Sequence, residues 1–167
     1  ESAIPRSGSR SEFLESLKGA QIAVAGWGAM PFTEELLDLC GDLELIVYAA
    51  GSVKPIVTEA LIEREIPVCS GVHINARPVA EFTLGMILMA LKRVFAFNRD
   101  MEERGAEAWE FDMRRFDGGY YGTRVGLLGY GRITAQLIPL LRPFDFEVLL
   151  NDPHLSEEQV REAGATP

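Results

Sequence analysis

Short apolar runs alternate with helical patterns in the first part of this chain. Strand-like runs lie at 21–25, 45–48 and 67–69, while a helical segment capped by Thr33 and a second one at about 56–65 fall between them. Strands that alternate with helices are typical of a parallel sheet covered by helices. The pattern therefore predicts an α/β layer.

A longer helical pattern follows this layer. Apolar residues recur at helical spacing from 75 or 76 to about 103, which predicts one long helix that bridges two domains. Glu81, Lys92 and Arg93 interrupt its apolar positions. The uncharged run is thus shorter than the roughly 20 apolar residues of a membrane span, and we expect a soluble helix.

A second strand and helix pattern begins after an irregular stretch at 106–121. Strands are predicted at 125–128 and 147–151, with a helix at 132–141 between them, and Ser156 with Gln159 forms the capping-box signature of a further helix. The predicted organisation is a first unit at 1–74, the interdomain helix at 75–105 and a second unit at 106–167. Neither predicted sheet is complete as written.

Charge and composition narrow the function classes. Sixteen Lys and Arg against twenty-five Asp and Glu give a net charge of -9, so we expect neither nucleic acid nor a membrane as partner. The two cysteines, Cys40 and Cys69, indicate a reduced, cytoplasmic compartment, and Cys69 lies in an apolar run that looks buried. There is no metal-ligand spacing and no signal-peptide pattern at the start of the sequence.

The strongest chemical signal is a glycine pair between a predicted strand and a predicted helix. Gly129 permits a tight turn, Gly131 lets the backbone approach a phosphate, and the amides of Arg132 and Ile133 face the negative charge at the helix start. Thr134 stands where the dinucleotide fingerprint has its third glycine, so we expect the helix to lie slightly farther from the strand.

Asp152 supports a dinucleotide site. It ends the next predicted strand, close to the spacing of about 20 residues at which a carboxylate reaches the adenosine ribose. A carboxylate there accepts hydrogen bonds from the ribose hydroxyls and repels a 2'-phosphate. We therefore expect the cofactor to be NAD rather than NADP. An ordinary turn aspartate before Pro153 is the alternative interpretation.

The loop after the second strand is a further candidate. Backbone amides around Ala50, Gly51 and Ser52 are placed to bind a substrate carboxylate, although an ordinary turn has the same composition. His73 and His154 have no carboxylate at a spacing that suggests a general base, so no catalytic residue is assigned.

Together these motifs resemble the D-isomer-specific 2-hydroxyacid dehydrogenase family, which includes phosphoglycerate dehydrogenases and glyoxylate or hydroxypyruvate reductases. The resemblance covers about 21–166 and rests on four ordered motifs: Ala50-Gly51-Ser52, Asn75 with Val79-Ala80-Glu81, Gly126 to Ile133, and Asn151-Asp152-Pro153. Four motifs in order are more specific than any one of them.

The resemblance implies part of a flavodoxin-like substrate domain at 1–74, followed by the first half of a Rossmann NAD-binding domain with parallel sheets. It implies reversible hydride transfer between NAD and a small 2-hydroxy or 2-keto acid, and homodimers. Carried onto this sequence, it makes Ala50, Gly51 and Ser52 substrate contacts and Gly129, Gly131, Arg132, Ile133 and Asp152 cofactor contacts. It also places Asn75 near the nicotinamide end.

Some parts of the family pattern have no counterpart in these residues. The catalytic Arg, Glu and His come from a later part of the family's Rossmann domain, and 1–18 is too short for the first strand and helix of the substrate domain. We therefore expect a truncated dehydrogenase that is inactive by itself. Two alternatives stay open. One is an NAD-sensing dimerisation module like the corepressors that resemble this family, and the other is a degraded remnant that folds poorly, binds nothing and self-associates through open sheet edges.

Overall fold

The computed structural model describes residues 14–15, 17–110 and 119–167. The chain forms two compact units, Glu1–Asn75 and Ala76–Pro167. Part of the irregular stretch predicted at 106–121 lies outside the described residues, as does most of 1–18.

The first unit contains a parallel three-stranded sheet with helices in its crossovers. Its elements are β1 Ile22–Ala25, α1 Glu34–Leu39, β2 Leu45–Tyr48, α2 Glu59–Glu63 and β3 Val68–Ser70. The strands lie in the order β1-β2-β3, with Ala25 beside Tyr48 and Tyr48 beside Ser70. The predicted α/β layer and its three strands are confirmed.

The core of this unit lies on one face of the sheet. Ile46 in β2 and Leu37 in α1 are fully buried, and Leu61 in α2 packs in the same cluster. On β1, Ala23 is buried whereas its neighbours Ile22 and Val24 are 57% and 76% exposed. The strand therefore packs one face against the core and leaves the other face uncovered by described residues.

The two cysteines differ in environment. Cys40, after α1, is buried, and burial raises the pKa of its thiol because the charged form is disfavoured there. Cys69 is exposed, so the expectation of a buried strand thiol is wrong. Its strand β3 is at the edge of the sheet, and only one of the three strand residues is even partly buried.

The predicted single long helix is two helices. α3 spans Val72–Leu91 and α4 spans Val94–Arg104, so the helix starts earlier than expected and breaks at Lys92 and Arg93. Arg93 has a φ of 56°, a left-handed conformation that ends the α-helical hydrogen bonding. No glycine or proline marks this break, which is why hydrophobic periodicity missed it.

α3 crosses the boundary between the two units. Asn75 is the last residue of the first unit and Ala76 the first of the second. By length and composition alone α3 is long enough and apolar enough to span a membrane, and it is the one described helix that passes this test. It also contains an ion pair between Arg77 and Glu81.

The second unit pairs two parallel strands. After α4 come β4 Thr123–Leu128, α5 Arg132–Leu141, β5 Phe146–Asn151 and α6 Glu157–Glu162. Buried side chains of α5 pack against both strands and against α6, and they include Leu137, Ile138 and Leu141. Ser156 and Gln159 form the predicted capping box at the start of α6.

Candidate functional site

A sharp turn joins β4 to α5. Gly129 has a φ of +87°, a left-handed conformation that glycine adopts without steric cost, and its amide donates to the carbonyl of Asn151 at 2.8 Å. Gly131 is extended and caps the helix, where its carbonyl accepts from the amide of Ala135 at 3.0 Å. The turn thus links the ends of both strands to the start of α5.

This turn is open and rich in hydrogen-bond donors. No described group accepts a hydrogen bond from the amides of Gly131, Ile133 or Thr134. A Cβ placed on Gly129 or Gly131 would meet no heavy atom within 4 Å. Unpaired amides at a helix start, with open space beside them, fit the pyrophosphate of a dinucleotide.

Asp152 lies beside the turn, as its position after β5 predicts. Its Oδ2 accepts from the amide of Tyr130 at 2.7 Å, and its Oδ1 accepts from the amide of His154 at 2.8 Å. These two hydrogen bonds, the one from Tyr130 first, hold the pKa of Asp152 below its ordinary value. The carboxylate is therefore ionised at neutral pH, and since it has about four acceptor positions it retains capacity for ribose hydroxyls.

Thr134 has a contact that the sequence did not reveal. Its hydroxyl donates to the carbonyl of Gly129 at 2.8 Å, so the first turn of α5 is tied back to the loop before it. From the sequence, Thr134 was notable only because it replaces the third glycine of the dinucleotide fingerprint. The expected displacement of the helix from the strand stays a prediction.

In the first unit, the loop after β2 also presents unpaired amides. The amide of Ala49 still donates to Ala25 at 2.8 Å, but no described group accepts from the amides of Ala50, Gly51, Ser52 or Val53. Ala50 is only 1% exposed. Unpaired amides on one loop are the donors that an anion-binding site requires.

Ser70 holds this loop from the neighbouring strand. At the carboxyl end of β3, its hydroxyl donates to the carbonyl of Gly51 at 2.7 Å and accepts from the amide of Val72 at 3.2 Å. Sequence reasoning missed Ser70, although a polar residue that ends a strand beside a candidate loop is a usable signal.

Asn75 lies on the first turn of α3, near the same loop. Its Nδ2 is 3.7 Å from the position that a Cβ on Gly51 would occupy. The structure thus brings Asn75 together with the Ala50–Ser52 loop in the first unit, whereas Gly129, Gly131, Arg132, Ile133 and Asp152 belong to the second. The binding roles of all these residues stay predictions.

Other polar candidates add little to either site. The amide of Lys54 donates to the Ser52 hydroxyl at 3.4 Å, which is a local turn contact. His154 contributes its backbone amide to Asp152. Among residues 14–15, 17–110 and 119–167, no cluster of His, Cys, Asp and Glu is suited to a metal ion.

Comparison with known proteins places this geometry in a family. Residues 84–167, about half of the chain, match the family described as D-isomer specific 2-hydroxyacid dehydrogenase, NAD binding domain. D-3-phosphoglycerate dehydrogenase of Methanocaldococcus jannaschii is 29% identical over 156 residues, which are 93% of this chain and 29% of that protein.

Solved structures agree on the fold. A formate dehydrogenase of Granulicella is 27% identical with a TM-score of 0.72, and the match covers 96% of this chain and 43% of that one. D-lactate dehydrogenase of Aquifex aeolicus, solved with NAD and lactic acid, is 23% identical with a TM-score of 0.63, over 92% and 44%. At that lower identity the likeness concerns the fold alone. The chain spans less than half the length of each protein it matches here.

Proposed function

Since this chain belongs to the D-isomer specific 2-hydroxyacid dehydrogenase family, we propose that it carries the NAD site and the substrate-carboxylate loop of an enzyme that interconverts a small 2-hydroxy acid and its 2-keto acid. One observation supports this most directly: the open, amide-rich turn at 129–131 lies beside the ionised carboxylate of Asp152. The comparisons give no support to the corepressor alternative.

The residues around this turn bind different parts of the cofactor. Amides at the start of α5, where Arg132 and Ile133 lie, bind the pyrophosphate, with Gly129 and Gly131 leaving room for it. Asp152 binds the ribose hydroxyls. When bound, NAD supplies the hydride acceptor of the reaction. Asn75 lies near the nicotinamide end of the cofactor, as the family resemblance implies.

The loop of the first unit binds the substrate. The amides of Ala50, Gly51 and Ser52 hold the carboxylate that every 2-hydroxy acid carries, and Ser70 keeps the loop in place. In this assignment 1–74 belongs to the substrate-binding domain, 75–105 to the interdomain segment and 106–167 to the NAD-binding domain.

The protein forms homodimers in the cytoplasm. Phe82, Met86 and Met89 recur at helical spacing on α3 and are 68%, 37% and 38% exposed, so a second copy is the partner that would bury them. The cytoplasmic assignment rests on the two free thiols, which a reducing compartment maintains.

Calorimetric titration of the 167-residue chain with NAD tests the cofactor site. Asp152→Ala removes the ribose acceptor and one clamp on the turn, so we expect affinity to fall at least tenfold, on the order of the 1.5–3 kcal/mol of a hydrogen bond to a charged group. Asp145→Ala is the matched control, because Asp145 also accepts a backbone amide, from Gly122 at 3.1 Å, but at the opposite end of β4.

Both outcomes of this titration are informative. NAD binding that Asp152→Ala weakens and Asp145→Ala leaves unchanged supports the cofactor site. Equal effects of the two variants, or no heat with NAD at millimolar concentration, would contradict it. A second titration with oxamate, a mimic of a 2-keto acid, in the presence of NAD tests the carboxylate loop at Ala50–Ser52.

A further inference from the structure

The peptide group between Gly129 and Tyr130 is held at both of its polar ends. Its carbonyl, on Gly129, accepts from the Thr134 hydroxyl at 2.8 Å. Its N–H, on Tyr130, donates to Oδ2 of Asp152 at 2.7 Å. Rotation of this peptide plane would break both hydrogen bonds.

The orientation of this peptide decides how the turn and the Asp152 carboxylate are held relative to each other. A flip of this peptide changes ψ of Gly129 and φ of Tyr130. Gly129 has no Cβ to resist it, so on that side the hydrogen bonds of the peptide hold its orientation. A flipped peptide would turn the Gly129 carbonyl toward the Asp152 carboxylate, which accepts the Tyr130 N–H in the present orientation, and the two oxygen acceptors would repel each other. The Thr134 hydroxyl disfavours this flip because it needs the Gly129 carbonyl as acceptor.

We infer that Thr134 is a positioning residue, an inference that rests on the proposed NAD site. Its hydroxyl holds the Gly129–Tyr130 peptide in the orientation that dinucleotide binding requires. Thr134 is half-buried in the first turn of α5, and its side chain points toward the helix start, as the tilt of every Cα–Cβ bond in a helix favours. The dinucleotide fingerprint has glycine at this position, whereas Thr134 supplies a hydroxyl that donates a hydrogen bond to the turn. Glycine here would weaken binding although it restores the fingerprint.

The test compares three variants of the 167-residue chain in NAD titrations. Thr134→Val keeps the shape and removes the hydroxyl, Thr134→Gly restores the fingerprint, and Thr134→Ser keeps the donor. We expect Val and Gly to lower NAD affinity about five- to tenfold, the effect of one net hydrogen bond, and Ser to stay within about twofold. Thr83→Val is the control, because the Thr83 hydroxyl donates to the carbonyl of Val79 at 2.7 Å inside α3.

A second measurement reports the hydrogen bond without any ligand. The 13C shift of the Gly129 carbonyl should move in Thr134→Val and Thr134→Gly and return in Thr134→Ser, with the midpoint of thermal unfolding recorded for each variant. The inference would be overturned if the Thr134→Val variant bound NAD as tightly as the wild type. It would also be overturned if the Gly129 carbonyl shift were the same in the variants as in the wild type. A wild-type chain that binds no NAD overturns the proposed function instead, and the carbonyl shift still decides whether Thr134 holds the turn.

Discussion

Asp152 shows how one side chain can shape the turn beside which it is proposed to bind. Its two oxygens each accept one backbone amide, from Tyr130 and from His154, so the carboxylate fixes the loops on either side of it. Both donors favour the ionised form. The charge that disfavours a 2'-phosphate is therefore maintained by the same hydrogen bonds that hold the turn.

The lowered pKa of Asp152 predicts a specific acid response. A carboxyl whose pKa is lower in the folded than in the unfolded chain stabilises the fold above its unfolded pKa, and this contribution is lost as pH falls through the folded value. We expect the amide resonance of Tyr130 to titrate with a midpoint below that of aspartate in an unstructured peptide. A midpoint at or above the peptide value would contradict the contacts described for Asp152.

At the residue scale, sequence reasoning predicted which parts of the candidate site lie close together because of backbone position. Gly129 and Asp152 follow from their places at the ends of strands, because a parallel sheet brings those ends to one edge. The contacts of Ser70 and Thr134 were not predictable, since a hydroxyl that bonds to a nearby carbonyl depends on a rotamer and on the exact course of the loop.

At the scale of elements, helix ends were the hardest to predict. Glu65, just after α2, and Arg93, between α3 and α4, both have a φ of 56°, although neither is glycine. Glycine is the usual residue in this left-handed position after a helix, and its absence removes the signal that sequence analysis uses. Strands were easier to predict, because short apolar runs mark them whether or not they are buried.

Replacement of Glu65 by glycine should stabilise the protein. The left-handed conformation strains any residue with a Cβ, and Glu65→Gly relieves this strain, so we expect the free energy of unfolding to rise by about 0.5–1 kcal/mol. Urea unfolding followed by circular dichroism measures it. Ala60→Gly, within α2, is the control and should lower the same quantity by about 1 kcal/mol. A loss of stability in both variants would contradict strain at Glu65.

At the scale of the whole molecule, the apolar surface is unevenly distributed. Among the described residues, the first unit has one buried cluster, which includes Ile46, and the second has two, which include Leu137 and Ile138 respectively. Large apolar side chains nevertheless remain exposed on β1 and along α3. A net charge of -9 favours solubility, but it does not remove the tendency of such a surface to associate.

A charge placed on α3 should prevent association if the stripe of Phe82, Met86 and Met89 forms the dimer contact. We expect Met86→Asp to shift the sedimentation equilibrium from twice 18.4 kDa to the monomer mass, because burying an unpaired carboxylate between two copies is unfavourable. Met101→Asp, on α4, is a control of similar exposure, 39% against 37%. A wild-type chain that sediments as a monomer at every concentration would contradict the dimer.

The two cysteines of the first unit differ in burial, which allows one of them to be labelled selectively. Thiolates react with maleimides, so the buried Cys40, with its raised pKa, should be labelled far more slowly than the exposed Cys69. Cys69 precedes Ser70 in the sequence, and the Ser70 hydroxyl donates to the carbonyl of Gly51 in the loop. Without any mutation, a single fluorophore can therefore be attached near the loop, where it would report on the carboxylic acid binding that we propose there.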